Sequence, residues 1–197
     1  MIIFLDTEFT DLVIEPRLLS IGMVAAAKVD IEFYSEVTDR DRIRAACWFA
    51  MDVVLPQFGR VAHAACSYAS LGARLRVFVE RTVGTLDPDE LVEIAFTYDL
   101  DWNLAQRAMR DAGGMPGDRA WSRLRPRNIN DVVGSVPARK AAETYFSQQA
   151  EASIARHHAL CDARALRMAF EAGIARHGVT ERAAPARSDF LSCSPIG

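Results

Sequence analysis

The chain has 197 residues, half of them apolar, with 23 basic and 26 acidic side chains for a net charge of −3. That length suits one well-buried core, and the slightly acidic balance excludes a protein that coats duplex nucleic acid by bulk positive charge. Cys47, Cys66, Cys161 and Cys193 show neither a C-x-x-C spacing nor a short disulfide framework, so they read as thiols in a reducing compartment.

The first predicted strand is Ile2-Ile3-Phe4-Leu5-Asp6-Thr7-Glu8-Phe9. Side chains alternate across a strand, so Phe4, Asp6 and Glu8 share a face and two carboxylates stand side by side. Such a pair repels itself unless a divalent cation neutralises it. Asp6 also breaks the apolar run, and no basic leader precedes it, so neither a signal peptide nor an anchor is expected. No stretch reaches the roughly 20 apolar residues of a membrane span, and a cytoplasmic protein with no membrane partner is the expectation.

A connection follows from Thr10 to Arg17. Residues 18–26 form an apolar run of strand length and 31–37 alternate in period two, and the short gap at Lys28 to Asp30 predicts a hairpin. Strands one to three are thus expected as an antiparallel meander. Residues 38–60 mix charges with Cys47-Trp48-Phe49, and Pro56 ends whatever helix they form. Ser67 is a plausible N-cap for a helix that buries Leu71, Leu75, Phe78, Val79 and Thr82 and stops at Gly84. A strand over 91–96 leads through Thr97–Asp101 into a helix from Trp102 to Met109, ended by Gly113-Gly114.

Residues 115–136, rich in Pro, Gly and Arg, are expected as a long loop. Its Arg119, Arg123, Arg125 and Arg127 form a candidate phosphate clamp, weighed evenly against a solvated charge run. Pro137 opens a helix running to about Gln149, and a last helix follows His158 to about Ile174 with Gly178 as its stop. The element order points to an α/β fold with a mixed sheet. The expected organisation is one domain over 1–178 and a mobile tail over 179–197.

The acids gather at element junctions, where ligand sites form in α/β folds. Asp6 and Glu8 end the first strand, Asp99 and Asp101 sit where a strand hands over to a helix, and Asp162 lies five residues after His157 at the start of the last helix. Each has a plain structural explanation as a cap or a favourable first-turn charge. The Asp-x-Glu at one end of the chain and His157-His158-Ala159-Leu160-Cys161-Asp162 at the other make the joint reading stronger.

These residues resemble a known family. Phe4-Leu5-Asp6-Thr7-Glu8-Phe9, Asp101 in a strand-to-helix junction, and His157-x-Ala159-x-x-Asp162-Ala163 are similar to the three motifs of the DEDDh, or DnaQ-like, 3′-to-5′ exonucleases of the ribonuclease H-like fold. The resemblance spans residues 2 to about 175. Leu18–Val24, Glu32–Glu36 and Asp101-Trp102 look most like small bacterial stand-alone 3′-5′ exoribonucleases of mycobacterial type. For the middle motif Asp101 is preferred, with Leu100 before it and Leu104 after it, and Asp99 is the fallback. His158 stands where related enzymes carry a Tyr, so the h-type assignment rests on His157.

The resemblance implies a ribonuclease H-like mixed sheet, antiparallel in its first three strands and then parallel, flanked by helices. It also implies two divalent cations, Mg²⁺ or Mn²⁺, held by Asp6, Glu8, Asp101 and Asp162 for in-line hydrolysis of a phosphodiester. Hard oxygen donors suit such cations better than zinc. His157 is the implied general base, and His158 is expected to face solvent or support the loop. Thr7, Phe9 and Trp102 flank the ligands as candidate substrate contacts, the aromatics by stacking on terminal bases. The implied partners are single-stranded RNA or DNA 3′ ends, RNA favoured, with a homodimer admitted. Two alternatives stand beside this: an inactive nucleic-acid-binding module on the same fold, and a haloacid-dehalogenase-type phosphatase. Glu8 in the third motif position, and the lack of a fitting downstream motif around Lys28 or Lys140, set the phosphatase low.

Overall fold

A computed structural model describes residues 1–12, 15–26, 31–113, 118–149 and 154–182. Its six strands are β1 (Ile2–Phe9), β2 (Leu18–Ala26), β3 (Ile31–Val37), β4 (Ala65–Cys66), β5 (Val92–Phe96) and β6 (Leu124–Asn128). They form one sheet in the order β4-β3-β2-β1-β5-β6. β1, β2 and β3 pair antiparallel, whereas β4, β5 and β6 join their neighbours in parallel. The expected α/β class and the antiparallel meander are therefore both present. The hairpin residues Lys28 to Asp30 lie outside the described residues.

Among the described residues six α-helices flank the sheet: α1 (Arg40–Arg44), α2 (Tyr68–Gly84), α3 (Asp99–Asp111), α4 (Asn130–Val133), α5 (Val136–Gln148) and α6 (Ala159–Arg182). The alternation of β1 decides which layer each packs on. Ile3 and Leu5 point into a core shared with Leu71, Leu75 and Phe78 of α2 and with Leu104, Ala105 and Met109 of α3. Phe4 points the other way, against Leu166 and Phe170 of α6, and its ring lies 5.4 Å from that of Phe170. Asp6 and Glu8 continue the Phe4 row, so the strand delivers both acids to the α6 side.

The capping residues behave as their chemistry requires. Ser67 Oγ accepts the Ser70 N–H at the start of α2, and Ser135 Oγ accepts the Ala138 N–H at the start of α5, where Pro137 occupies the first turn. In residues 38–60 the chain makes α1, a π-helical turn at Ala50–Val54 and a 3₁₀ turn at Leu55–Gln57, then leaves helical conformation at Phe58.

Three expectations need correction. Residues 115–136 are no long loop, since they contain a 3₁₀ turn at Trp121–Arg123, the whole of β6 and α4. β6 reads Leu-Arg-Pro-Arg-Asn with one buried residue, so it carries no period-two signal. As an edge strand it tolerates Pro126, whose missing N–H faces no further neighbour. Second, the α3 helix begins at Asp99 and not at Trp102, which places Asp99 and Asp101 inside its first turn and makes neither of them the cap. Third, Gly178 does not stop α6, which runs to Arg182. The expected tail lies mostly outside the described residues, which resume no further than 182.

One glycine sets the distance between the α6 layer and the sheet. Gly22 of β2 is the cross-strand partner of Asp6. A Cβ at Gly22 would stand 2.4 Å from the backbone of Ala159 and Leu160, so only glycine lets the first turn of α6 lie directly on the sheet beside Asp6.

Candidate active site

Four carboxylates from three distant segments meet at the C-terminal end of β1. Asp6 and Glu8 come from the strand, Asp162 from the first turn of α6, and Asp101 from the first turn of α3. Asp101 is 3% exposed, and its Oδ1 accepts a 2.7 Å hydrogen bond from Thr7 Oγ1. Thr7 alternates with Asp6 and Glu8, so its hydroxyl reaches across to the α3 layer and fixes the third acid against the other two. Asp99 is exposed, and its Oδ1 accepts from Asn128 Nδ2 at 2.9 Å. Of the two middle aspartates the fold thus brings Asp101 into the group and leaves Asp99 at the surface.

The electrostatics follow from crowding and burial. Burial first, then the charges of Asp162, Asp101 and Glu8, push the Asp6 carboxyl far above the usual aspartate range. Glu8 is pushed up to about 8 by burial and by Asp162 and Asp101. Asp162 rises to about 7, burial outweighing the His157 N–H and Arg156 that favour its charge. Asp101 rises to about 6 through burial, despite the Thr7 hydroxyl. Arg156 does not neutralise the group, because its guanidinium is held 2.6 Å from Glu143 and lies over the Phe146 ring.

Glu8, His157 and Asp162 can hold a metal ion, since one ligand atom from each lies within 4.8 Å of the others. A second observation supports the fit. Asp162 Oδ2 accepts the His157 N–H at 2.9 Å, but its Oδ1 is buried with no hydrogen-bond partner among the described residues. A buried carboxylate oxygen left open in a cluster of like charges suits a hard cation.

The two histidines separate sharply. His157 is half-buried and adopts φ 65°, a left-handed backbone that few non-glycine residues accept. Burial and Arg156 lower its pKa, which favours a neutral imidazole. Its ring meets Phe49 edge-on at 5.1 Å. His158 does not face solvent: it is 1% exposed and stacks on Tyr34 with ring centroids 4.2 Å apart. Burial lowers its pKa to about 4.

The candidate substrate contacts also divide. Phe9 lies partly buried and stacks on the half-exposed Tyr98 at 6.4 Å. Trp102 is packed in the core shared by α2, α3 and β1, so it offers no open ring beside the acids. Of the four arginines of the candidate clamp, three are engaged by the fold, and Arg119 is exposed. Arg123 spends its guanidinium on the carbonyls of Glu90, Val83 and Asp87, Arg125 bonds the carbonyls of Ser122 and Leu124, and Arg127 pairs with Glu93. Sequence reasoning missed the exposed Trp48 and Phe49, whose rings meet edge-on beside His157, because no periodicity marks that turn. It also missed Gln57 and Gly22, which act through backbone contacts that leave no linear signature.

Fold and site together define an α/β protein with a buried, uncompensated carboxylate cluster at the end of its first strand. Comparison with models of protein families finds no match to the chain, and comparison with curated proteins finds none either. Among the described residues no helix is long and apolar enough to cross a membrane.

Proposed function

We propose that the chain is a metal-dependent 3′-to-5′ exonuclease of the DEDDh type on a ribonuclease H-like fold, acting on single-stranded nucleic acid with RNA favoured over DNA. The convergence of Asp6, Glu8, Asp101 and Asp162, with His157 beside Glu8 and Asp162, carries this reading. The four carboxylates would hold two divalent cations, Mg²⁺ or Mn²⁺, which supply charge neutralisation at the phosphate, activation of a water and stabilisation of the leaving 3′ oxygen.

The protein's own groups account for the other requirements. Neutral His157 takes a proton from the attacking water, and its lowered pKa keeps it competent as a base near neutral pH. Thr7 keeps the Asp101 carboxylate aimed into the group. Phe9 follows Glu8 in β1 and Phe49 meets the His157 ring edge-on, and terminal bases of a single strand would stack on these rings. The bond broken is that between phosphorus and the 3′ oxygen of the preceding nucleotide, and the product leaves as a nucleoside 5′-monophosphate.

The test is release of mononucleotides from a 5′-labelled oligoribonucleotide with Mg²⁺ or Mn²⁺. A ladder shortening one nucleotide at a time from the 3′ end is expected, and it should stop when the 3′ hydroxyl is blocked by a bulky group. Cleavage within a circular single strand would contradict the reading. Binding without cleavage would favour an inactive module on the same fold.

A further inference from the structure

We infer that Gln57 is a positioning residue for His157, an inference that rests on the exonuclease reading. His157 sits in a short turn ahead of α6, in a backbone conformation that a non-glycine residue holds only when its surroundings impose it. Two restraints lie in the turn itself. The His158 N–H bonds the Ala155 carbonyl at 3.2 Å, and the His157 N–H bonds Asp162 Oδ2. Neither ties the turn to the rest of the protein on its outer side.

Gln57 does so with both ends of one amide. Its Oε1 accepts the Ala155 N–H at 3.0 Å, and its Nε2 donates to the Arg156 carbonyl at 2.8 Å and to the Val53 carbonyl at 3.3 Å. The residue is buried at the end of the 3₁₀ turn Leu55–Gln57, about a hundred positions away in sequence. One amide thus reads the donor and the acceptor of two consecutive residues, just before the proposed base. The same stretch, residues 49–57, presents Phe49 to the His157 ring, so ring and backbone are held from one side.

A base displaced by about 1 Å can lose up to two orders of magnitude in rate while substrate binding is kept. The function of Gln57 should therefore appear in kcat and vanish when His157 is absent. The experiment compares wild type, Gln57→Met, Gln57→Glu, His157→Ala and the double variant Gln57→Met/His157→Ala on the 5′-labelled oligoribonucleotide. Methionine keeps the volume without the hydrogen bonds, and glutamate keeps the acceptor but not the donor.

Gln57→Met should lower kcat on the order of tenfold or more with KM within about twofold, and Gln57→Glu should fall between it and wild type. In the His157→Ala background the Gln57→Met change should have no further effect on kcat, and hydrogen exchange at the Ala155 amide should be faster in Gln57→Met, which loses its acceptor, than in wild type or Gln57→Glu, which keeps it. An unchanged kcat in Gln57→Met, or an equal loss with and without His157, would overturn the inference and leave the exonuclease reading standing. Absence of any metal-dependent release by wild type would overturn that reading and this inference with it. If Gln57→Met fails to fold, Gln57→Glu decides through the bond to the Arg156 carbonyl that it loses: a lowered kcat with KM kept supports the inference, and an unchanged kcat overturns it.

Discussion

Two strongly charged regions of this molecule resolve their charge in opposite ways. Along Arg123, Arg125 and Arg127 the guanidinium groups find carbonyls or a carboxylate, so the charge is absorbed by the fold. At the end of β1 four carboxylates are driven together, and Arg156, whose charge favours ionised Asp162, is itself paired with Glu143. A row of charges in sequence is thus no guide to a binding surface until its partners are known. The crowded carboxylates could hold a cation, whereas the three arginines are tied into the fold.

The sharpest way to break this comparison is to neutralise one member of each region. Asp6→Asn should lower metal-dependent nucleotide release by roughly three orders of magnitude, as loss of a ligand in a two-metal site does, while the metal-free protein melts no lower than wild type because repulsion is relieved. Undiminished turnover would sink the metal reading. Arg123→Ala should do the reverse. Leaving three carbonyls without their donor is expected to destabilise by about 2–4 kcal/mol, read from the urea midpoint, with kcat of the folded fraction unchanged.

His157 and His158 give the next largest effects. His157→Ala should reduce kcat by roughly two to four orders of magnitude with little change in melting temperature. His158→Ala should act on stability, by about 2–4 kcal/mol, because it empties the space against Tyr34. A His158 variant that folds normally but loses turnover to the same extent would show that the roles are exchanged. The two middle aspartates should divide similarly in a turnover assay. Asp101→Asn is expected to abolish release, whereas Asp99→Asn, which leaves an exposed bond to Asn128 weakened, should alter stability by about 0.5–1 kcal/mol or less.

The smallest effect is a pH dependence of the metal-free protein. A carboxyl whose folded pKa lies above its ordinary value binds its proton more tightly when folded, so the stability it confers is present at low pH and lost as pH rises through the folded value. For Asp101, Asp162 and Glu8 that loss runs from about 4 up to about 6, 7 and 8. His158 has the opposite sign: lowered from 6.5 to about 4, it contributes fully above pH 6.5 and loses its contribution as pH falls through that window. Between pH 6.5 and 8 the carboxylates act alone. The melting temperature of metal-free protein should fall there by several degrees, and Mg²⁺ should restore more at pH 8 than at pH 6.5. A flat profile in chelator would show that the acids are already neutralised by the protein.

Much of the fold is legible locally because its signals are local. The alternation of β1, the serine caps of α2 and α5 and the period of α2 each depend on a few consecutive residues. The acids that form the cluster could be singled out from their places at element junctions. β6 was not legible, since an edge strand of Leu-Arg-Pro-Arg-Asn is held by backbone pairing to β5 and buries almost no side chain. The short β4, of two residues, has the same cause.

The sequence by itself determined that Asp6 and Glu8 share a face, because period-two geometry allows a strand no other arrangement. Tertiary structure decided which distant groups join them. Asp101 enters through the Thr7 hydroxyl, Asp162 through the close approach that Gly22 permits, and His157 through a turn fastened by Gln57. Each of these is a contact between segments far apart in the chain, and its energy depends on separations of about 3 Å that residue order does not encode.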